Sequence, residues 1–155
     1  MQLTIKGFGK KKTAELEEAC QFFADQLMDP RMVRNLIIDI ERYKNLDVCG
    51  ECINEDDTRN PRWFTINLRD GKDDEDIVKT LAHEMIHVRQ HAKNQLKSGV
   101  MVATKGSIAM RSKWMGKVWK PGRNEDPYFD SPWEVEAYGR EVGLYHKWVE
   151  HCTVQ

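Results

Sequence analysis

The chain has 155 residues with 24 basic and 25 acidic side chains, enough for one domain with its own core and too nearly neutral to be drawn as a whole to a polyanion. No apolar run approaches the ~20 residues of a membrane span, and Met1 to Lys6 has no signal-peptide core. Four cysteines without a secretory signal fit reduced thiols, so a cytoplasmic single domain over residues 1–155 is expected.

Leu3 and Ile5 alternate within residues 1–8, which predicts a short strand. Thr13 reads as an N-cap, with Glu15, Glu17 and Glu18 near the positive end of a helix. Leu16, Ala19, Cys20, Phe23 and Leu27 recur at helical spacing, so an amphipathic helix is expected over 13–28. Asp29-Pro30, a cap followed by proline at the first helical position, opens a short helix over 30–35. Leu36 to Tyr43 is β-branched and alternates after Ile38, the pattern of a strand. Residues 48–54 and 62–68 read as two more, joined by an acidic connection that ends in the turn signal Asn60-Pro61. Links this short predict a small, mostly antiparallel sheet whose last strand leads onward through Asp70-Gly71. Cys49-Gly50-Glu51-Cys52 is a CxxC pair; half a zinc site needs two more ligands, and a hairpin with free thiols is the plainer expectation.

A helix starting near Asp73 or Asp74 and running to about Leu96 carries His83-Glu84-Met85-Ile86-His87, an HExxH motif. Residues four apart share a helix face, so His83 and His87 can hold one metal ion through two imidazoles. Glu84 follows the first histidine, where its carboxylate can take the proton of a metal-bound water. Ile77, Val78, Leu81, Ala82, Met85, Ile86 and Val88 flank the ligand face on both sides, as on a mostly buried helix open along one polar strip. His91 lies ~12 Å beyond His83 at ~1.5 Å per residue, too far to share the ion on an unbroken helix. It is expected at the surface or behind the ligands.

From Arg89 to Asn124 there are nine lysines and arginines and no acid, with Trp114 and Trp119 among them. Such a segment attracts an acidic substrate or a nucleic acid; a solvated face balanced by the acids at 54–57 and 70–76 is the plainer reading. Arg111 to Trp119 is expected as a strand pair or an extended loop over the cleft.

Ser131 reads as an N-cap, Pro132 as the first helical residue, and Glu134 as the partner that completes a capping box. Val135, Tyr138, Val142, Tyr145, Val149 and Cys152 then fall three and four apart. A helix over 132–151 with that stripe on the core is expected. A catalytic zinc usually has three protein ligands and an open position for water. Glu134, Glu136, Glu141, His146, His151 and the cysteines are candidates for the third. The capping box accounts for Glu134. Glu136 sits one turn into the helix beside the expected buried stripe, where an unpaired carboxylate is costly. Gly139 and Gly143 lie further along nearly the same face and would let two helices approach closely. The third ligand is therefore expected to be Glu136, with Arg140 able to pair with it or with substrate. His146 and His151 read as surface histidines.

HExxH on one helix, with a glutamate followed by alanine on a later one, resembles the gluzincin branch of zinc metallopeptidases. His83 to Gln90, Trp114 to Lys117 and Pro132 to Glu141 are together similar to the small SprT-like metallopeptidases encoded by bacteriophages, over roughly residues 62–150. The resemblance implies an α+β, zincin-like domain, one zinc ion held by His83, His87 and Glu136, and Glu84 as general base in peptide-bond hydrolysis. The zinc ribbon of two CxxC pairs seen in SprT proteins is missing, and Arg140 stands where gluzincins have an aspartate. A second electrophile for the oxyanion is expected from Tyr128, Tyr138 or Arg140, which the residues do not rank. The strand over 62–68 is expected beside the cleft, pairing with an extended substrate. The partner is then a peptide or protein substrate, met in a host cytoplasm if the chain is phage-encoded. The competing expectation is a non-enzymatic zinc-stabilised module whose 89–123 segment binds nucleic acid or a partner protein. A purely structural site would not need Glu84, which favours the enzyme.

Overall fold

The chain is described here from a computed structural model that covers residues 1–44, 47–69 and 74–154. Strand β1 (Gln2–Lys6) leads into helix α1 (Lys10–Leu27), a short helix α2 (Pro30–Arg34), and strands β2 (Ile37–Tyr43), β3 (Gly50–Asn54) and β4 (Trp63–Arg69). Helix α3 (Asp74–Ala92) carries the HExxH motif. Strands β5 (Leu96–Thr104), β6 (Ser107–Trp114) and β7 (Lys117–Val118) and the long helix α4 (Pro132–Val154) follow. The result is a mixed α+β protein, and no helix among the described residues is long and apolar enough to cross a membrane.

Helix α1 begins at Lys10 with Gly9 as its cap, three residues before the expected Thr13. The start of α2 is as expected, because the Asp29 carboxylate accepts from the Arg31 and Met32 amides, each at 3.0 Å.

The first sheet has the order β1-β2-β4-β3. β1 and β2 are parallel, as are β2 and β4, and only β3 runs antiparallel, against β4. The expectation of a mostly antiparallel sheet is therefore wrong for this layer. Short links made β2, β3 and β4 look like a meander, but β4 inserts between β2 and β3 and turns the β2 neighbour parallel. The Asp70-Gly71 link lies outside the described residues.

Ile38, Ile40, Phe64, Ile66 and Leu68 point to one face of this sheet and are buried against Leu16, Cys20 and Phe23 of α1 and Leu81 and Met85 of α3. The opposite face is polar: the Trp63 indole donates to Asp39 at 2.9 Å and the Thr65 hydroxyl to Glu55 at 2.8 Å. Burial of one face and exposure of the other is the two-layer solution for a sheet with helices on one side.

Helix α3 stops at Ala92, short of the expected Leu96, because Asn94 takes a left-handed conformation at φ 58°. The chain then enters a second, antiparallel sheet of order β5-β6-β7. Strand β5 was not anticipated; Ser98-Gly99 lies inside it, at an irregularity of register between Lys97 and Val100. The pair β6–β7 realises the strand-pair alternative for 111–119.

Helix α4 departs most from expectation. Its buried side chains are Glu134, Ala137, Leu144 and Trp148, whereas Val135, Tyr138, Val142 and Val149 are 40–57% exposed. The helix is rotated by one residue, about 100°, from the face that its valines and tyrosines mark. Gly139 and Gly143 consequently do not serve a close helix contact: a Cβ at either position would meet nothing within 4 Å.

Candidate metal centre

Helices α3 and α4 pack side by side and bring three electron-pair donors together. His83 Nε2, His87 Nε2 and a Glu134 carboxylate oxygen lie within 4.8 Å of one another, all in buried residues. Glu134 faces His83 at 3.1 Å and His87 at 3.2 Å, and the two Nε2 atoms are 3.1 Å apart. Burial of α3 around its apolar flanks holds the histidines on one strip, as the spacing requires.

The third member is Glu134, and Glu136 is not in the group. The Glu136 carboxylate is turned to Arg89 at 3.0 Å and lies 3.9 Å from Arg140. Two signals misled the sequence reading. The capping box does not form in the expected way, since the Ser131 hydroxyl donates to the Tyr128 carbonyl at 2.7 Å. The rotation of α4 then puts position 134 on the buried side and 136 at its margin.

The ring nitrogens behind the cluster decide whether it fits a cation. Gln90 is fully buried; its Nε2 donates to the Trp133 carbonyl at 3.0 Å and to Glu136 at 3.3 Å. Its oxygen therefore faces His87 Nδ1 at 2.7 Å and accepts from it. His83 Nδ1 likewise donates to Glu141 at 2.7 Å, and Lys79 lies 3.6 Å from that carboxylate. With both Nδ1 atoms carrying hydrogen, each neutral imidazole presents a lone pair at Nε2. Two lone pairs and a carboxylate then face one another with no hydrogen between them, which is unfavourable unless a proton or a metal cation lies among them. The donor set fits a metal ion, and the outer hydrogen bonds are those that fix the tautomer of metal-binding histidines. Neither Gln90 nor Glu141 was given this role from sequence, although Glu134 and Glu141 stand seven residues apart and share a face.

The titration directions agree. Burial works to lower His83, but the hydrogen bonds and charges of Glu134 and Glu141 hold it above its ordinary value. Burial works to lower His87 as well, and Glu134 and Glu84 outweigh it. Burial works to raise Glu134, yet its bonds to the two histidines bring it down to about 2. In a dry site where two bases compete with an acid for protons, a dication satisfies all three at once.

Glu84 lies beside the cluster, buried, and burial first, then the charges of Glu134, Glu51 and Glu141, push its carboxyl up to about 8 against the opposing pull of His87. Strand β3 reaches it closely. A Cβ on Gly50 would stand 2.6 Å from Thr80 Cγ2 and 2.9 Å from Glu84 Oε1, so only glycine lets β3 lie here. His83, Glu84, Gly50 and Cys49 share a cleft of about 720 Å³ with Tyr128, Phe129 and Tyr138. The Tyr138 ring meets His83 edge to face at 4.6 Å between centroids. Burial, then the charge of Glu134 and a hydrogen bond with Tyr138, push the Tyr128 phenol up and keep its hydrogen on.

Other sequence candidates lie elsewhere. His91 is not at the surface; it is buried one helical turn beyond His87, close enough to feel its charge. It is 5% exposed, its ring centroid 6.2 Å from Phe64, with Nδ1 unpartnered and a hydrogen bond to the Leu96 backbone. His146 is exposed, and His151 packs on Phe22 and Trp148. All four cysteines are free; Cys49 accepts from Arg69 at 3.2 Å. Strand β4 is paired on both sides, so the outer strand beside the cleft is β3 and not residues 62–68. The fold and site define a mixed α+β protein with a buried His–His–Glu group that could hold a metal ion. No protein-family model, curated protein or solved structure matches the chain.

Proposed function

We propose that this protein is a zinc-dependent peptidase of zincin-like fold, with His83, His87 and Glu134 as the metal ligands and Glu84 as the general base. The observation that carries the reading is a buried carboxylate, Glu84, opening on a cleft next to a three-donor group. A structural site would call for a fourth protein donor, and among the described residues the group holds three. Bound zinc supplies a Lewis acid and a water acidified to near neutrality.

The chain's own residues do the rest. The Glu84 carboxylate takes a proton from the attacking water and returns it to the leaving amine. A dication in the cluster favours its ionised form, offsetting the burial that otherwise holds it protonated. The Tyr128 hydroxyl, kept protonated, donates a hydrogen bond to the developing oxyanion. Arg140 is left out, since it is half exposed and turned towards Glu136. The free edge of β3 offers main-chain hydrogen bonds to an extended peptide, and the exposed rings of Tyr128 and Phe129 offer an apolar side chain a place to bind.

The test is Glu84→Gln. The variant should keep its zinc while cleavage of a broad peptide library falls by about 10²-fold or more, the scale of general acid–base catalysis. A zinc-loaded wild type that cleaves nothing, or a Glu84→Gln protein as active as wild type, rejects the enzyme reading.

A further inference from the structure

Where β5 follows the end of α3, a second cleft of about 370 Å³ is lined by Arg59, Lys97 and Lys113, with Asn94, Gln95 and a single acid, Asp57, beside them. The sheet register makes these more than scattered surface cations. Lys97 and Lys113 are direct partners across the β5–β6 ladder. Direct partners have their Cβ atoms about 4.5–5.5 Å apart on one face, and like charges placed so destabilise a sheet. Arg59 joins them from the loop before β4. Among the described residues no ion pair links any of the three to an acid. Asp57 offsets one charge, so two remain uncompensated in the cleft. On the β5–β6 side the chain from Arg89 to Asn124 contains no acid, and on the other side Glu55 and Asp56 are engaged by Thr65 and by the Arg62 amide.

A phosphate group carries about −1.5 to −2 charges at pH 7 and three strong acceptor oxygens. It matches the uncompensated charge and can face all three cations, with the side-chain amide nitrogens of Asn94 and Gln95 as further donors. A carboxylate, with one charge and two oxygens, would leave a cation unmatched. We propose that this cleft is a phosphate-binding site, taking either one free phosphate or phosphate monoester, or two successive phosphates of a nucleic-acid backbone, whose diesters carry one charge each. The site shares no lining residue with the metal centre and is read by binding, so its failure is distinguishable from failure of the peptidase reading.

The experiment compares wild type with the Lys97→Gln/Lys113→Gln double variant. Thermal unfolding is followed in sodium phosphate, sodium acetate and sodium chloride at matched ionic strength, and labelled single- and double-stranded oligonucleotides are titrated across salt. Phosphate should raise the wild-type Tm above both other salts, and the double variant should lose that increment. Without phosphate the double variant should be at least as heat-stable as wild type, since the cross-strand repulsion is gone. Oligonucleotide binding that falls tenfold or more in the variant, with a salt slope smaller by about two, identifies a nucleic-acid backbone as the source. A phosphate effect without oligonucleotide binding identifies a free phosphate. Equal behaviour in the three salts, with no oligonucleotide binding that depends on the two lysines, overturns the proposal, and acetate acting as well as phosphate overturns the ligand class.

Discussion

Gln90→Met is the sharpest test of how the histidines are held. Methionine is similar in length and fills the buried volume, so the change removes hydrogen bonds more than packing. The His87 Nδ1–H then loses its acceptor at 2.7 Å inside a fully buried pocket. An unpaired buried donor costs about 1–3 kcal/mol, which should appear as lowered stability. The ring also loses the bond that fixes its tautomer, a loss that typically weakens metal binding about 10–100-fold, or about 1.4–2.8 kcal/mol. Gln90→Glu separates the two effects. It keeps an acceptor for His87 but loses the donor to Trp133 and brings a second carboxyl against Glu136. This variant should be less stable than wild type yet bind zinc more tightly than Gln90→Met. Zinc affinity is read by competition with a chromophoric chelator and stability by urea unfolding. Zinc binding by Gln90→Met within twofold of wild type refutes the reasoning, as does a Gln90→Glu affinity no better than that of Gln90→Met.

Glu134→Gln should lose more than about 100-fold in zinc affinity, and Glu136→Gln should stay within about tenfold of wild type, because Glu136 acts only through Arg89 and Gln90; the reverse order in the same competition assay would restore Glu136 as ligand. Gly50→Ala drives a methyl against Thr80 and Glu84 and should cost about 1–3 kcal/mol as overpacking. Zinc content measured after dialysis should be unchanged while peptide cleavage falls; unaltered cleavage would separate β3 from Glu84. Burial first, then the charge on His87, holds the His91 imidazole down to about 4 from 6.5. The unfolded chain therefore binds the proton more readily, and this contribution to stability is complete above pH 6.5 and lost as pH falls towards 4, about 3 kcal/mol in all. His91→Phe should flatten the fall in urea midpoint between pH 6.5 and 4 relative to wild type; parallel curves would show that His91 takes up its proton as easily folded as unfolded.

The motif on α3 was legible because two demands coincide there. Histidines four apart need a helix, and the apolar residues around them repeat with the period of a helix buried on most sides. Helix α4 was legible as a helix, not as to which way it faces. Its buried side carries Glu134 and Glu141, whose shared partner His83 lies 51 and 58 positions away in the chain, and no local pattern reveals it. Valines and tyrosines on the neighbouring face mimicked a core stripe while standing largely in solvent. Ser131 and Glu134 have the spacing of a capping box, and the same residues are spent differently once a histidine pair lies within reach. Strand order failed for a related reason: link length tells which strands follow one another and not which pair, and β4 pairs with both β2 and β3.

His83 and Glu134 of the candidate metal centre stand 51 positions apart on two helices, so an ion held there would act as a removable cross-link. The two ends of α4 are fastened by different means. Near its C-terminus Trp148 packs on Phe22 and Phe23, contacts that need no ion. Around Glu134 and Glu141 the buried Ala137 is joined by polar groups that depend on charge balance with the histidines. Withdrawing the ion by chelation should thus release the first turns of α4 while the Trp148 end stays docked, and amide exchange over residues 134–141 would quicken before the core of α3 responds. The protein would then sense metal supply as a local loosening at the mouth of its own cleft.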